Sequence, residues 1–391
     1  MAQRLTISLV TETYPPEING VAMTLGRLVA GLQQRGHRLH LVRPRQAGEA
    51  GTEISSATVP VLLAGGLRLP LYPELQFGVP AGGRLRQAWQ ALRPDVIYIA
   101  TEGPLGWSAL RTARALGIPV VSGFHTNFHS YSRHYHLGLL MPLIKRYLRQ
   151  FHRRSRCTLA PNPALCAALT DAGFGQVRVL PRGVDTELFN PARRSVELRR
   201  QWGMDETGLA VLYVGRVAME KNIHEAIAAF RRIERNCAGA RFIIVGDGPL
   251  RTGLARANPD LLFCGMRTGR ALAEYFASAD LFLFPSRTET FGNVTLEAMA
   301  SGLPVVAYDY AAAAMHIQDD VNGVRAALDG PDAFARRAEQ LVARGHGALA
   351  AMGRAAREHT EGLGWDRIVE RFESILCELA LPEPIAHVSH I

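Results

Sequence analysis

Short apolar runs alternate with amphipathic stretches along most of this chain, and they do so in two successive series. In the first, Leu5–Val10, Arg38–Val42, Val96–Ile99, Val120–Ser122, Thr158–Ala160 and Val177–Leu180 have strand length and few polar interior positions, the pattern of strands covered on both faces. Gly20–Arg35, Leu105–Leu116 and Pro142–Arg154 carry helical spacing. The second series opens near Leu209, with strands expected at Ala210–Val214, Arg241–Val245, Leu261–Cys264, Leu281–Phe284 and Pro304–Ala307 and helices between them. Such alternation predicts parallel sheets with helices on both faces. The expected fold class is therefore α/β, with two Rossmann-like domains in series. Leu180–Pro191 has the proline and glycine content of a linker. From Pro331 to Leu381 the pattern is helical, with no strand candidate.

Composition narrows the classes. At 391 residues the chain exceeds one ordinary core, and 48% hydrophobic with 20% charged residues belongs to a globular protein. No apolar run is long enough for a spanning helix, and Arg4–Val10 reads as a first strand rather than a leader. Five scattered cysteines, never spaced Cys-x-x-Cys, predict a reducing cytoplasmic setting without a disulfide frame or zinc site. Residues 1–190 hold 21 Lys+Arg against 10 Asp+Glu, and the remainder 23 against 25. A basic first half suits an anionic substrate, an anionic membrane surface or nucleic acid. The predicted helix Pro142–Arg154 sets an apolar stripe (Met141, Ile144, Tyr147, Leu148, Phe151) beside Lys145, Arg149, His152 and Arg153. That pattern suits peripheral attachment to a membrane face, or an ordinary core helix.

The chemistry concentrates in Pro285–Pro304. An apolar strand ends, the chain turns at Phe291-Gly292, and a helix follows with Asn293 placed as its N-cap; Gly302 and Pro304 stop it. Two acids interrupt an otherwise small and apolar stretch: Glu289 in the loop and Glu297 about one turn inside the helix. Backbone N–H groups at a helix start attract phosphate, and carboxylates accept from paired sugar hydroxyls. Together they suit a nucleotide sugar.

The same stretch resembles the Glu-x7-Glu signature of family 4 of the retaining glycosyltransferases, Glu-x-Phe-Gly-x4-Glu-Ala-Met-Ala-x-Gly-x-Pro-Val. The resemblance covers nearly the whole chain. Gly215-Arg216-x4-Lys221-Asn222 is similar to that family's diphosphate motif, Pro181-x-Gly183-Val184-Asp185 to its interdomain linker, and Gly246-x-Gly248-Pro249 to its glycine turn. It implies a GT-B fold, with two Rossmann-like domains whose parallel sheets face each other across a cleft holding the active site. The first, residues 1–185, would bind acceptor and the second, 186–363, the nucleotide sugar. Within 364–391 the helix Trp365–Leu379 would cross back to the first domain. Arg216 and Lys221 are implied on the diphosphate, Glu297 on the ribose, Glu289 on the sugar, and the backbone near Met266 on the base. Gly20 and the Phe291, Gly292 and Asn293 backbone would complete the phosphate pocket. His125, in a segment similar to the family's His-Thr-(Asp/Asn)-Phe, is implied in a sugar or acceptor contact.

The implied reaction is a metal-independent, cofactor-free hexosyl transfer with retention, in which the leaving phosphate takes the acceptor proton. The first domain most resembles the branch that moves mannose from GDP-mannose to lipid-linked or saccharide acceptors. UDP-sugar-dependent glucosyl or sulfoquinovosyl transfer to a diacylglycerol-type lipid is the alternative. A basic nucleic-acid-binding protein is the reading from a different class, but no recognition motif accompanies the charge. Arg251 breaks the Gly-x-Gly-x-x-Gly fingerprint of a dinucleotide dehydrogenase. A phosphorylase would need a cofactor lysine, and only Lys145 and Lys221 exist. No glutamate backs a metal-ligand spacing among His125, His129, His134 and His136, and no Asp-x-Asp occurs. Two departures stand out. Asn19 replaces the first glycine of the family's Gly-Gly-Val loop, and Asp309–His316 replaces a second Gly-Gly loop that meets the sugar.

Overall fold

The computed structural model describes residues 4–381 except 18, 47–48, 50–52, 56–58, 70–71, 126–140, 329 and 331. Two compact units emerge. The described residues of Met1–Thr126, Gly138–Pro181 and Trp365–Ile391 form the first, and Arg182–Gly364 forms the second.

In the first unit the strands are β1 (Thr6–Val10), β2 (Arg38–Pro44), β3 (Glu53–Ser55), β4 (Pro60–Ala64), β5 (Gly66–Leu69), β6 (Tyr72–Gly78), β7 (Val96–Ile99), β8 (Val120–Gly123), β9 (Cys157–Ala160) and β10 (Val177–Val179). Eight of them make one sheet in the order β10-β9-β8-β7-β1-β2-β4-β3, and β5 with β6 makes a separate hairpin. Only β3 runs antiparallel in the large sheet. Central strands such as β7, Val-Ile-Tyr-Ile, are buried at every position, as a sheet covered on both faces requires. Alternate residues feed two cores, one with Ile7, Leu9 and Tyr98, the other with Val10, Ile97 and Ile99. The helix Trp365–Ala380 packs on Gly20–Gln34, where Val369 fills the space that a Cβ on Gly31 would need. Glu373 on that last helix pairs with His37 at 2.8 Å and Arg35 at 3.0 Å.

The second unit holds β11 (Ala210–Val214), β12 (Arg241–Val245), β13 (Leu262–Gly265), β14 (Leu281–Phe284), β15 (Val305–Tyr308) and β16 (Gly323–Ala326). They form one parallel sheet in the order β13-β12-β11-β14-β15-β16. From β11 the chain first builds outward through β12 and β13, then returns to add β14 on the other side. The carboxyl ends of β11 and β14 therefore flank the point where the winding reverses, the usual ligand crevice of such sheets.

The predicted strands recur within about two residues, but several elements were not foreseen. β3 to β6, the helix Gly82–Leu92 and β16 all lie in stretches where glycine, proline and arginine interrupt the apolar period. The stripe expected on the Pro142–Arg154 helix is also corrected. In the observed helix Met141–His152, Leu148 and Phe151 lie in the core with His152, which is buried rather than part of a cationic face. His152 Nδ1 meets Ser122 Oγ at 2.9 Å, and its Nε2 meets Glu102 at 3.2 Å.

Candidate functional site

Two loops of the second unit carry the predicted chemistry. The first leaves β11 as Gly215-Arg216 and enters the helix Ile223–Asn236 through Lys221 and Asn222. The second leaves β14 as Pro285–Phe291 and enters the helix Asn293–Ala300. Because β11 and β14 are neighbours in the sheet, the loops meet, and Lys221 Nζ donates to Glu289 Oε1. Ser286 Oγ donates to the same oxygen at 2.6 Å. Oε2 of Glu289 has no partner among the described residues. The pair is mostly enclosed, with side chains 22% and 15% exposed. Arg216 is more open and lies 3.5 Å from Glu220.

The chain enters the helix Asn293–Ala300 through Gly292 at φ 93°, a left-handed conformation that glycine adopts without strain. Gly292 is thus the N-cap, and Asn293 is already the first helical residue, contrary to the sequence expectation. No side chain caps this end. The first internal bond runs from Thr295 N to Gly292 O at 3.1 Å, and among the described residues no acceptor takes the N–H groups of Asn293 and Val294. The result is an anion-accepting helix start. Phe291 is buried beneath it, and Ala312 N donates to its carbonyl at 2.8 Å.

Glu297 faces the same end one turn in. The residue is half-buried, and burial raises the pKa of its carboxyl to about 7. No hydrogen bond to that carboxyl exists among the described residues. Met266 follows β13 with its side chain half exposed, and its carbonyl accepts from Arg267 at 3.2 Å. The Gly246-Asp247-Gly248 turn serves close packing, since a Cβ at Gly246 would collide with the carbonyl of Gly215 and one at Gly248 with that of Val217.

Gly20 and His125 belong to the first unit. Gly20 opens the helix Gly20–Gln34, but Asn19 caps it, its side chain accepting from Val21 N at 3.1 Å and Ala22 N at 2.8 Å. The residue that departs from the family's glycine therefore occupies first-turn amides itself. His125 is half-buried after β8, with Nε2 3.3 Å from Tyr98 Oη. The Thr126-Asn127-Phe128 segment and His129, His134 and His136 lie outside the described residues. Sequence reasoning passed over Glu12 and Glu102, which follow β1 and β7 where the winding of the first sheet reverses. Glu12 accepts from Leu105 N at 3.2 Å, and burial, helped by the charge of Glu102, raises its carboxyl to about 7. An acid directly after a buried strand was the signal available.

Residues 18–188 match the model of Glycosyltransferase Family 4, and residues 208–344 that of Glycosyl transferases group 1. A GDP-mannose-dependent alpha-mannosyltransferase of Mycobacterium tuberculosis is 35% identical over 78% of this chain and 79% of its own. The chain belongs to glycosyltransferase family 4. Sulfoquinovosyl transferase SQD2 of Arabidopsis thaliana is 32% identical over 76% of this chain and 59% of its own. Among solved structures, a sucrose-phosphate synthase of Thermosynechococcus elongatus superposes with a TM-score of 0.78 over 96% of this chain and 99% of its own, at 19% identity. As a family 4 glycosyltransferase the protein is an enzyme of glycosyl transfer, with two Rossmann-like units. Among the described residues no helix is long and apolar enough to cross a membrane, and no cluster of His, Cys, Asp and Glu could hold a metal ion.

Proposed function

We propose that this glycosyltransferase moves a mannosyl group from GDP-mannose, with retention, to a lipid-linked or saccharide acceptor. The observation that carries the site assignment is the Lys221–Glu289 pair where the second sheet reverses its winding. Arg216, Lys221 and the free amides at Asn293 take the diphosphate. Glu297 accepts from the ribose hydroxyls, the backbone at Met266 meets the base, and Glu289 turns Oε2 to the sugar. Gly20 and His125 serve the phosphate and acceptor sides. In the transfer, the bond from the anomeric carbon to phosphate breaks with its electrons going to the diphosphate. The acceptor oxygen bonds to the same face, and its proton passes to the leaving phosphate. Cations on the diphosphate stabilise the charge that develops there. The donor choice rests on the 35% relative; the relative named for sulfoquinovosyl transfer supports sulfoquinovosyl transfer, read here with a UDP-sugar donor, as the second reading. A hydrolysis screen across GDP- and UDP-sugars is expected to show release from GDP-mannose, and turnover of UDP-sugars alone would reverse the order.

We further propose attachment to an anionic membrane surface through the outer face of Met141–His152. There Leu143, 62% exposed, stands among the exposed Lys145, Arg146 and Arg149. A basic helix with outward apolar side chains binds anionic lipid weakly and in a salt-dependent way. The protein is expected to float with anionic vesicles at low salt and to be released as salt rises. Wild type that stays with the soluble fraction at low salt ends this idea.

A further inference from the structure

We propose that Arg287, Tyr308 and Glu225 form a positioning device that sets Glu289 against Lys221; this rests on the roles proposed above for those two residues. Consecutive side chains of the β14 loop each engage a different partner. Ser286 bonds Glu289, Thr288 Oγ1 donates to the Glu220 carbonyl at 2.8 Å, and Glu289 accepts from Lys221. Arg287 turns the other way. Its guanidinium lies 4.1 Å over the Tyr308 ring, bonds the Tyr308 hydroxyl, and pairs with Glu225 at 3.3 Å. Tyr308 in turn donates to Glu225. Glu225 sits in the first turn of Ile223–Asn236, four residues beyond Lys221, while Arg287 sits two residues before Glu289. A third tie runs from Asn222 Nδ2 to the Pro285 carbonyl at 3.0 Å.

The loops bearing Lys221 and Glu289 are thus sewn together at Pro285, Arg287 and Thr288, and Arg287 alone does so through a side chain held on three sides. Arg287 Nε is buried without a partner, so the terminal nitrogens and the stack carry all of its orienting effect. The ion pair is about one-third exposed, with Arg287 at 34% and Glu225 at 37%, while Tyr308 is buried. An ion pair that open adds little to stability. Its consequence lies in geometry, because a shift of about 1 Å in a reacting group can cost about a hundredfold in rate. Lysine cannot replace this arginine fully, since it lacks the planar fork that stacks and bonds together.

The test is steady-state kinetics on the donor found by the hydrolysis screen, beginning with GDP-mannose. Arg287→Ala is expected to lower kcat about tenfold, with donor KM within about twofold and an unchanged melting temperature. Arg287→Lys should recover part of that loss, and Tyr308→Phe, which keeps Arg287 but removes the hydroxyl it bonds, should show a smaller loss of kcat. The double variant Arg287→Ala/Glu289→Gln should be no slower than Glu289→Gln alone, because a displaced carboxylate and a missing one fail in the same way. Native kcat in Arg287→Ala overturns the proposal, as does a rise in KM alone or losses that multiply in the double variant. Native kcat in Glu289→Gln is a separate result, and it would overturn the role of Glu289 itself.

Discussion

Replacing Lys221 with alanine is expected to lower kcat/KM for the donor by about 2–4 kcal/mol, roughly thirtyfold to a thousandfold. Two losses combine. The leaving diphosphate loses a cation held where water is largely excluded, with Lys221 only 22% exposed, and charge there is screened less than at the surface. Glu289, 15% exposed, also loses the partner that balances its carboxylate. Arg216→Ala should cost less, because its side chain is 43% exposed and its contact with Glu220 is 3.5 Å. The fold should survive both changes, since neither side chain belongs to a core. Kinetics with a thermal melt on each variant decides the matter: Lys221→Ala with near-native turnover removes lysine from the mechanism.

What the sequence revealed follows from the range of the interactions. Arg216, Lys221, Glu289 and Glu297 each lie within a few residues of a buried strand or the helix it feeds, so strand–loop–helix patterning reaches them. The Arg287–Tyr308–Glu225 cluster joins residues 21 to 83 positions apart across three elements; no local period reports such a contact. Asn293 was read as an N-cap because Asn favours that position, yet Gly292 at φ 93° turns the chain one residue earlier. The apolar stripe of Met141–His152 was visible, but not its division. Leu148 and Phe151 serve the core while Tyr147 of the same stripe stays 39% exposed, and helical spacing alone does not say which face a neighbouring strand covers.

Glu297 and Glu289 should separate by pH and by kinetic parameter. Burial raises the Glu297 carboxyl to about 7, and accepting from two ribose hydroxyls requires its ionised form. Donor therefore binds the deprotonated protein and favours loss of the proton. Above pH 7 donor KM should be flat. Below it, KM should rise towards about tenfold per pH unit as the carboxyl takes up its proton. Glu297→Gln should show a raised KM that no longer varies over this range, at a cost of about 1.5–3 kcal/mol in binding at high pH. Glu289 is different in kind. Lys221 and Ser286 hold its Oε1, leaving Oε2 for a sugar on which positive charge grows only as the anomeric bond breaks. Interactions that strengthen in the transition state appear in kcat, so Glu289→Gln should depress kcat more than it raises KM. Donor titration from about pH 5.5 to 8.5 on wild type and both variants measures everything required. If wild-type KM does not change across pH 7, Glu297 is not the ribose acceptor; if both variants lose donor affinity alone, the two acids form a single binding device.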